Sequence, residues 1–253
     1  MNVIVGLSGG VDSSVAALLL KNEGYDVTGV TMKIWREGKY AGGSRDACFG
    51  SGEEEDVAAA EELCRRIGIP YRTFDCSAEY DKTIISYFRE EYMAGRTPNP
   101  CVRCNAMIKF GMLPELARDA GLVFDRFATG HYARTDYANG RYRLLRAVDL
   151  SKDQSYFLYR LSQTQLERQL FPLGGLTKAQ VRVIARDNNL NAADKPDSQD
   201  FYSGEREELI GEPDRPGNIV DQKGKVLGSH TGFWKYTIGQ RKGLCISNPE
   251  PLY

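Results

Sequence analysis

Short apolar runs alternate with amphipathic stretches through the first half of the chain. The runs predict buried strands at residues 3–7, 26–32, 71–75 and 126–129. The stretches between them predict helices at residues 13–22, 56–67, 80–92 and 108–117, and the apolar side chains of 56–67 fall on one stripe. Strands that alternate with helices indicate an α/β fold with a doubly wound parallel sheet, which binds ligands at the carboxyl ends of its strands.

The pattern changes in the second half of the chain. Residues 150–189 read as mostly helical, with helices at 162–170 and 177–188. Residues 212–217 (EPDRPG) are linker-like, and short strands and turns are predicted after them at 218–221, 226–228 and 233–238. We therefore expect a catalytic domain over residues 1–210 and a small β-rich module over 211–253. Because the sequence stops inside this pattern, we expect the chain to be truncated there.

Composition narrows the class of protein. The 253 residues are 42% hydrophobic and 26% charged, and the net charge is −1, so nucleic-acid binding would need a local basic patch. The sequence contains neither an apolar run long enough for a membrane span nor a basic N-terminal leader, which predicts a cytoplasmic protein without a membrane partner. Six cysteines without an export signal favour reduced thiols used in catalysis or metal binding.

The first chemical motif is residues 8–14 (SGGVDSS), between the first strand and the first helix. Adjacent glycines let the backbone approach a phosphate, and the helix N-terminus favours an anion. The motif is neither a Walker loop nor a dinucleotide fingerprint. It resembles the PP-loop of ATP pyrophosphatases, which cut ATP between the α and β phosphates and transfer AMP to a substrate oxygen.

The second motif is a cysteine pair in residues 95–105 (GRTPNPCVRCN). The two prolines predict an extended loop, and Cys101 and Cys104 follow with C-x-x-C spacing. Arg103 lies between them and favours the reactive thiolate. Such a pair is typical of a redox couple, half of a zinc site or two ligands of an iron–sulfur cluster, and with two histidines in the chain a four-ligand zinc site is poorly supplied.

Two further segments carry polar groups next to predicted turns. In residues 127–134 (FATGHYAR), Gly130 permits close backbone approach and His131 is a candidate contact to phosphate or substrate. Residues 145–156 (LRAVDLSKDQSY) gather basic and polar groups that suit nucleic-acid phosphates.

Together these motifs resemble the MnmA family of tRNA-specific 2-thiouridylases over essentially the whole chain. The resemblance also includes FPLGGLTKAQVR (171–182), KPDSQD (195–200) and YTIGQRKGL (236–244). It implies that wobble uridine of tRNA is adenylated on its C2 oxygen by ATP and that a protein-borne sulfur displaces AMP. It also implies Mg²⁺ as a cofactor, and a sulfur-donor protein or sulfide as a partner besides tRNA.

The resemblance assigns roles to individual residues. Asp12 would lie near the magnesium, and Cys104 matches the catalytic nucleophile of the family. The residues implied for ATP binding are Gly6, Leu7, Ser8, Gly9, Gly10, Val11, Asp12, Ser13, Met32 and Gly130. Those implied for tRNA binding are Asn99, Pro100, Cys101, Lys152, Asp153 and Gln154.

The sequence departs from the family pattern in the sulfur site. Tyr202 stands where a second catalytic cysteine, the persulfide carrier, is expected, and Cys101 stands where many members have Asp. Either Cys101 and Cys104 form the sulfur-transfer couple, or they ligate a [4Fe-4S] cluster with a third cysteine, Cys76 or Cys48. We favour the cluster. The second departure is the end of the chain, since family members continue into a C-terminal β-barrel that helps to grip tRNA.

Two other functions stay open at this point. The first is a PP-loop enzyme that transfers nitrogen or sulfur to a small molecule. The second is a catalytically inactive relative that binds tRNA. The motifs NPCVRCN and KDQSYFLY count against the first alternative, and the intact SGGVDSS counts against the second.

Overall fold

A computed structural model describes residues 1–36, 38–40, 47–190, 201–202 and 204–246 of the chain. Its main sheet has five parallel strands in the order β3-β2-β1-β4-β7. These strands are β1 (Asn2–Gly6), β2 (Asp26–Lys33), β3 (Tyr71–Asp75), β4 (Arg126–Thr129) and β7 (Gln169–Leu170). The first four agree with the sequence prediction to within one residue at either end. Gln169–Leu170 was expected to be helical, and that prediction is wrong.

Helices cover both faces of this sheet. Val3 and Val5 of β1 point to one face, where they pack with three helices: α1 (Val11–Asn22), α2 (Glu53–Ile67) and α8 (Lys178–Asp187). Ile4 points to the opposite face and packs with Phe110 and Phe127. The sheet is therefore doubly wound, as predicted, and the alternation of side chains along β1 feeds two separate cores.

The second face carries two long helical stretches, each with a π-helical segment. The first runs through α3 (Ser77–Tyr80), the π-helical segment Asp81–Ile85 and α4 (Ser86–Met93). The second runs through α5 (Pro100–Cys104), the π-helical segment Asn105–Met112 and α6 (Leu113–Asp119).

The extended loop predicted around the cysteine pair is wrong, because Pro100 occupies the first turn of α5 and Asn99 caps that helix. Proline suits this position since its missing N–H would have no partner inside the helix.

A β-hairpin that the sequence reading missed follows β4. It consists of β5 (Ala133–Ala138) and β6 (Arg141–Arg146), paired antiparallel. A 3₁₀ helix (Ser155–Leu158) and α7 (Gln163–Glu167) connect the hairpin to β7. The hairpin and the 3₁₀ helix bring the basic segment identified in the sequence next to the helix of the cysteine pair.

The last described part of the chain is a small β-rich region after α9 (Arg206–Ile210). Its strands, β8 (Gly217–Val220) and β9 (Val226–His230), pair antiparallel. Phe233–Lys235 forms a 3₁₀ helix rather than the predicted strand, and its Trp234 is buried in the same core cluster as Cys104. Among the described residues, helices that are both long and apolar enough to cross a bilayer are absent.

Candidate active site

The SGGVDSS loop lies at the point where the strand order of the sheet reverses. β1 ends at Gly6, α1 begins at Val11, and Gly6 pairs with Thr129 at the end of β4. In parallel sheets ligands bind at such a switch point. Gly10 is the N-cap of α1, so no side chain caps the amide groups of the first turn. The positive end of a 12-residue helix therefore opens toward the carboxyl edge of the sheet.

Two glycines let the chain close around this loop. Gly9 has a φ of +67°, and a Cβ there would lie 2.7 Å from the carbonyl oxygen of Asp56. A Cβ on Gly130 would lie 2.7 Å from both the carbonyl carbon of Asp12 and the amide nitrogen of Ser13. Gly130 was predicted to give a nucleotide close access to the backbone, and in the structure it gives that access to the loop itself.

Serine hydroxyls fix the shape of the loop. The backbone N–H of Ser8 donates to Oγ of Ser13 at 3.2 Å, and Oγ of Ser14 donates to the carbonyl of Gly10 at 2.8 Å. Leu7 and Val11 are buried and anchor the two ends of the loop in the core. Of the residues implied for ATP, Met32 lies farther along the edge, on β2, where it packs against the second-face cores.

The carboxylate of Asp12 is held by two partners from distant parts of the chain. Nζ of Lys178 donates to both carboxylate oxygens, at 2.7 and 2.8 Å, and the hydroxyl of Tyr132 donates to Oδ1 at 2.8 Å. The side chain of Lys178 is 11% exposed and that of Asp12 is 29% exposed. The negative charge of Asp12 is therefore balanced by the ammonium group of Lys178 in this structure, and its position near a magnesium ion stays a prediction.

Cys104 is buried at the end of α5. Burial raises the pKa of its thiol to about 12, although the charge of Lys109 partly opposes this shift. Cys104 packs in one cluster with Ile34, which follows β2, and with Cys76, which follows β3. The thiol therefore lies at the carboxyl edge of the sheet, the same edge that carries the SGGVDSS loop.

Cys101 is partly exposed on the first turn of the same helix. Asn99 Oδ1 accepts from the backbone N–H of Val102 at 3.1 Å and so fixes this turn. The guanidinium group of Arg103 lies 4.5 Å from the ring centroid of Tyr87. Cys101 and Cys104 thus lie one helical turn apart, a spacing that brings side chains together on one face.

The other cysteines do not complete a metal site. Cys76 is buried, which raises the pKa of its thiol to about 12, while Cys48 is exposed. Within the described residues, no three His, Cys, Asp or Glu side chains are grouped so that they could hold a metal ion. Cys101, Cys104 and Cys76, predicted as cluster ligands, therefore do not fit a [4Fe-4S] cluster as arranged.

The segment KPDSQD lies outside the described residues. Tyr202, which stands where the family has its second catalytic cysteine, donates a hydrogen bond to Glu208.

His131 follows Gly130 at the end of β4. Its Nδ1 shares a hydrogen bond of 2.8 Å with Oγ1 of Thr129, and its ring lies 5.6 Å from that of Phe110. Desolvation, with the nearby charge of Lys109, lowers the pKa of His131 well below its usual value. The imidazole is therefore neutral near pH 7 and suits a hydrogen bond rather than an ion pair with phosphate.

The predicted tRNA residues after β6 are largely built into the fold. Asp153 Oδ1 accepts from the backbone N–H of Ala147 at 2.7 Å. Gln154 Oε1 accepts from the N–H of Tyr132 at 2.9 Å, and its own N–H donates to the carbonyl of Tyr132 at 2.8 Å. Asp153 and Gln154 thus position Tyr132, which in turn holds Asp12.

Sequence reasoning missed Lys178 and Tyr132 as parts of the site. Both lie in motifs that the sequence reading did quote, FPLGGLTKAQVR and ATGHYAR. Lys178 and Asp12 are 166 positions apart, so their contact leaves no local signal in the chain.

The chain resembles known proteins over its whole length. The family described as tRNA methyl transferase HUP domain matches residues 1–202, and the tRNA methyl transferase PRC-barrel domain matches residues 209–253. The chain is 52% identical to the tRNA-specific 2-thiouridylase MnmA of Endomicrobium trichonymphae, and the alignment covers 100% of this chain and 72% of that protein. It is 48% identical to the MnmA proteins of Geotalea uraniireducens and Gloeothece citriformis, with 99% of this chain and 68% and 71% of those proteins covered.

Proposed function

The chain belongs to the MnmA family of tRNA-specific 2-thiouridylases, and on that premise we propose that it uses ATP to replace the C2 oxygen of a tRNA uridine with sulfur. One structural observation supports this activity independently of the family relationship. An anion-binding helix N-terminus and a buried cysteine, Cys104, lie at the same carboxyl edge of one parallel sheet. The first group suits the phosphates of ATP, and the second suits a sulfur acceptor or donor.

The first half of the reaction is adenylation. The C2 oxygen of uridine attacks the α-phosphorus of ATP, the bond to the β-phosphate breaks, and pyrophosphate leaves. The product carries AMP on C2, which turns a poor leaving group into a good one. In this chain the uncapped first turn of α1 would hold the phosphates and stabilise the charge that develops on them. Lys178 would keep Asp12 neutralised beside that charge.

The second half is sulfur transfer, for which we propose Cys101 and Cys104 as a couple. A donor would place a persulfide on Cys101, the more exposed thiol. Its terminal sulfur attacks C2 and AMP leaves. The thiolate of Cys104 then attacks the sulfur of Cys101, which releases the thiocarbonyl and forms a disulfide between the two cysteines. An external dithiol reduces that disulfide for the next turnover.

Single cysteine variants test this couple. We expect Cys101→Ser and Cys104→Ser each to abolish 2-thiouridine, measured by mass spectrometry of nucleosides from tRNA, while tRNA-dependent pyrophosphate release continues. The exposed Cys245 offers a matched control, and Cys245→Ser should keep full activity. Full activity of Cys101→Ser would exclude the couple.

Two more measurements separate the alternatives. Iron and labile sulfide in anaerobically purified protein, both absent from Cys101→Ala, would support a cluster instead of the couple. An active enzyme without iron would exclude the cluster. ATP–pyrophosphate exchange without tRNA would indicate a small-molecule substrate. Dependence of this exchange on tRNA is the result that we expect.

A further inference from the structure

Two tyrosines beside the site expose most of their side chains. Tyr156 is 62% exposed and Tyr159 is 64% exposed. Their ring centroids lie 6.0 Å apart, with 40° between the ring planes. Rings as exposed as these add little to the hydrophobic core, so packing does not account for them.

The backbone that carries these rings is firmly held. Leu158, between them, is buried. The N–H of Phe157 donates to the carbonyl of Gln154 at 3.0 Å, and Gln154 is tied to Tyr132 through its side chain and its backbone. Tyr156 therefore points to solvent from a fixed 3₁₀ helix, and Tyr159 from the residue that follows this helix.

The exposed pair adjoins the helix of the cysteines. Nδ2 of Asn105, the residue after Cys104, donates to the carbonyl oxygen of Phe157 at 3.1 Å. Phe157 lies between the two tyrosines on the 3₁₀ helix and contacts the ring of Tyr156, with 5.4 Å between centroids. The segment that carries the tyrosines is therefore bonded directly to the helical stretch of the cysteines.

Positive charge concentrates around the pair although the whole chain has a net charge of −1. Residues 141–160 contain five basic and two acidic side chains. The two acidic side chains accept hydrogen bonds from backbone N–H groups, Asp149 from Lys178 and Asp153 from Ala147. Arg146, whose side chain is 65% exposed, also lies 3.7 Å from Asp153, and Arg160 is exposed. The surface therefore suits a polyanion.

We propose that Tyr156 and Tyr159 form a stacking platform for unpaired bases of the tRNA loop that carries the target uridine. This inference rests on the proposed function and adds a binding surface to it. Aromatic rings beside basic side chains are the combination that holds single-stranded nucleic acid, because every base offers a face for stacking. A duplex keeps its bases stacked on each other and gains nothing from the rings.

The experiment measures RNA binding by the full chain. The probes are unfractionated tRNA, a synthetic stem–loop with an unpaired loop, and a duplex of the same stem without the loop. We expect the double variant Tyr156→Leu/Tyr159→Leu to bind tRNA and the stem–loop about tenfold or more weakly, and to bind the duplex as before. The salt dependence of binding should keep its slope, since the phosphate contacts are retained.

Two variants control for other effects. Tyr156→Phe/Tyr159→Phe keeps both rings and should retain the original affinity. Tyr137→Leu removes a ring that is 63% exposed near the hairpin turn, and it should leave stem–loop binding unchanged.

The outcomes separate this inference from the proposed function. If the unsubstituted protein thiolates tRNA and the double leucine variant binds the stem–loop equally well, the platform is wrong and the proposed function stands; the tyrosines would then suit a protein partner. An equal loss in Tyr137→Leu, or an equal loss with the duplex, would also overturn the platform. If the unsubstituted protein neither binds nor thiolates tRNA, the proposed function itself fails.

Discussion

The thiol of Cys104 is assigned the chemistry of a nucleophile but lies in an environment that keeps it protonated. Its pKa is raised to about 12 by burial, whereas an unperturbed thiol has a pKa of roughly 8.5. The thiolate is therefore a very small fraction near pH 7 in the protein without tRNA. We infer that the site becomes reactive only when a bound substrate or a shift of α5 changes the surroundings of this sulfur.

The raised pKa has a measurable effect on stability. The folded state holds the proton of Cys104 to a higher pH than the unfolded state does. This contribution to stability is present in full below roughly pH 8.5 and is lost as the pH rises toward about 12. We expect Cys104→Ala to lose less free energy of unfolding than the unsubstituted protein between these limits, measured by urea unfolding. In Cys245→Ala the free energy of unfolding should fall with pH as steeply as in the unsubstituted protein. An equally steep fall in Cys104→Ala would contradict the prediction.

The ion pair between Lys178 and Asp12 gives a second prediction for single residues. Lys178→Met removes a partner that donates to both oxygens of Asp12 and leaves that carboxylate held by Tyr132. Because hydrogen bonds to charged groups contribute roughly 1.5–3 kcal/mol, we expect a loss of about 2 kcal/mol in the free energy of unfolding together with weaker ATP binding. Denaturant unfolding and calorimetric titration with ATP measure the two effects.

Lys21, on the same helix as Asp12, supplies the control for this pair. Its Nζ donates to the carbonyl of Gly68 at an exposed position, so Lys21→Met should change neither quantity strongly. Adding Asp12→Asn to Lys178→Met should recover part of the lost stability, since the uncompensated charge is then gone. If Lys178→Met and Lys21→Met have the same free energy of unfolding and the same affinity for ATP, the ion pair contributes to neither.

At the scale of elements, α5 decides how the cysteine pair is presented. Asn99 caps this five-residue helix, and Pro100 begins it. We expect Asn99→Ala to cost about 1 kcal/mol of stability and to let the first turn fray, which should speed alkylation of Cys104 by iodoacetamide. Mass spectrometry of the labelled peptide measures this rate.

A second asparagine provides the comparison for α5. Asn188 bonds the carbonyl of Ile184 at the end of α8, on the other face of the sheet, and Asn188→Ala should leave the alkylation rate of Cys104 unchanged. Equal labelling rates in the two variants would mean that the cap does not protect the thiol.

The sequence allowed some elements to be predicted and hid others for physical reasons. The four long parallel strands were predictable because each is a distinct apolar run. The hairpin was missed although Asn139-Gly140 is the dipeptide typical of a two-residue turn, and in the structure both residues adopt the positive φ that this turn needs, 53° and 77°. Gln169–Leu170 forms a strand only because β4 lies beside it, and a two-residue strand has no period to detect. Pro100 was read as holding a loop, whereas it begins a helix.

At the scale of the whole molecule, the last described region is not an independent appendage. Trp234, from the 3₁₀ helix after β9, is 1% exposed and shares a core cluster with Cys76, Cys104 and Phe88. The guanidinium group of Arg206, in α9, lies 4.7 Å from the ring centroid of Tyr92 in α4 and also donates to Oγ1 of Thr237, in the last region, at 3.2 Å. The division of the chain near residue 211 stays a prediction, and these contacts join the two parts through one core.

This shared core predicts a single cooperative unfolding transition. We expect Trp234→Ala to lower the free energy of unfolding by about 3–5 kcal/mol and to speed alkylation of Cys104, because both side chains lie in one cluster. Phe233→Ala alters a neighbour that is 43% exposed and should have a much smaller effect. Two separate transitions in the unsubstituted protein, with Cys104 labelling unaffected by Trp234→Ala, would contradict a shared core.

The candidate site was predictable only where its residues are contiguous in sequence. The SGGVDSS loop is a single segment, so its role could be inferred before its geometry was known. The partners of Asp12 come from two distant segments, and Cys104 meets Cys76 only through folding. Burial of the thiol also had to come from the structure, because the predicted loop would have left it accessible.

The π-helical segment Asn105–Met112 restricts how the length of this chain can vary over evolution. Nε2 of Gln165 donates to the carbonyls of Ala106 and Phe110, at 2.8 and 3.1 Å, and so holds the wide turn open. Each residue of an α-helix advances the direction of side chains by about 100°. A π-helical segment contains about one residue more than an α-helix needs for the same rotation, so losing one residue here, with a return to α-helical winding, would keep Leu113 and Ala117 in their core. Losing two residues, or gaining one in α-helical winding, would turn both side chains out of that core. Length changes should therefore be tolerated in the turn of the hairpin, whereas between the cysteines and α6 insertions and deletions of more than one residue should be selected against.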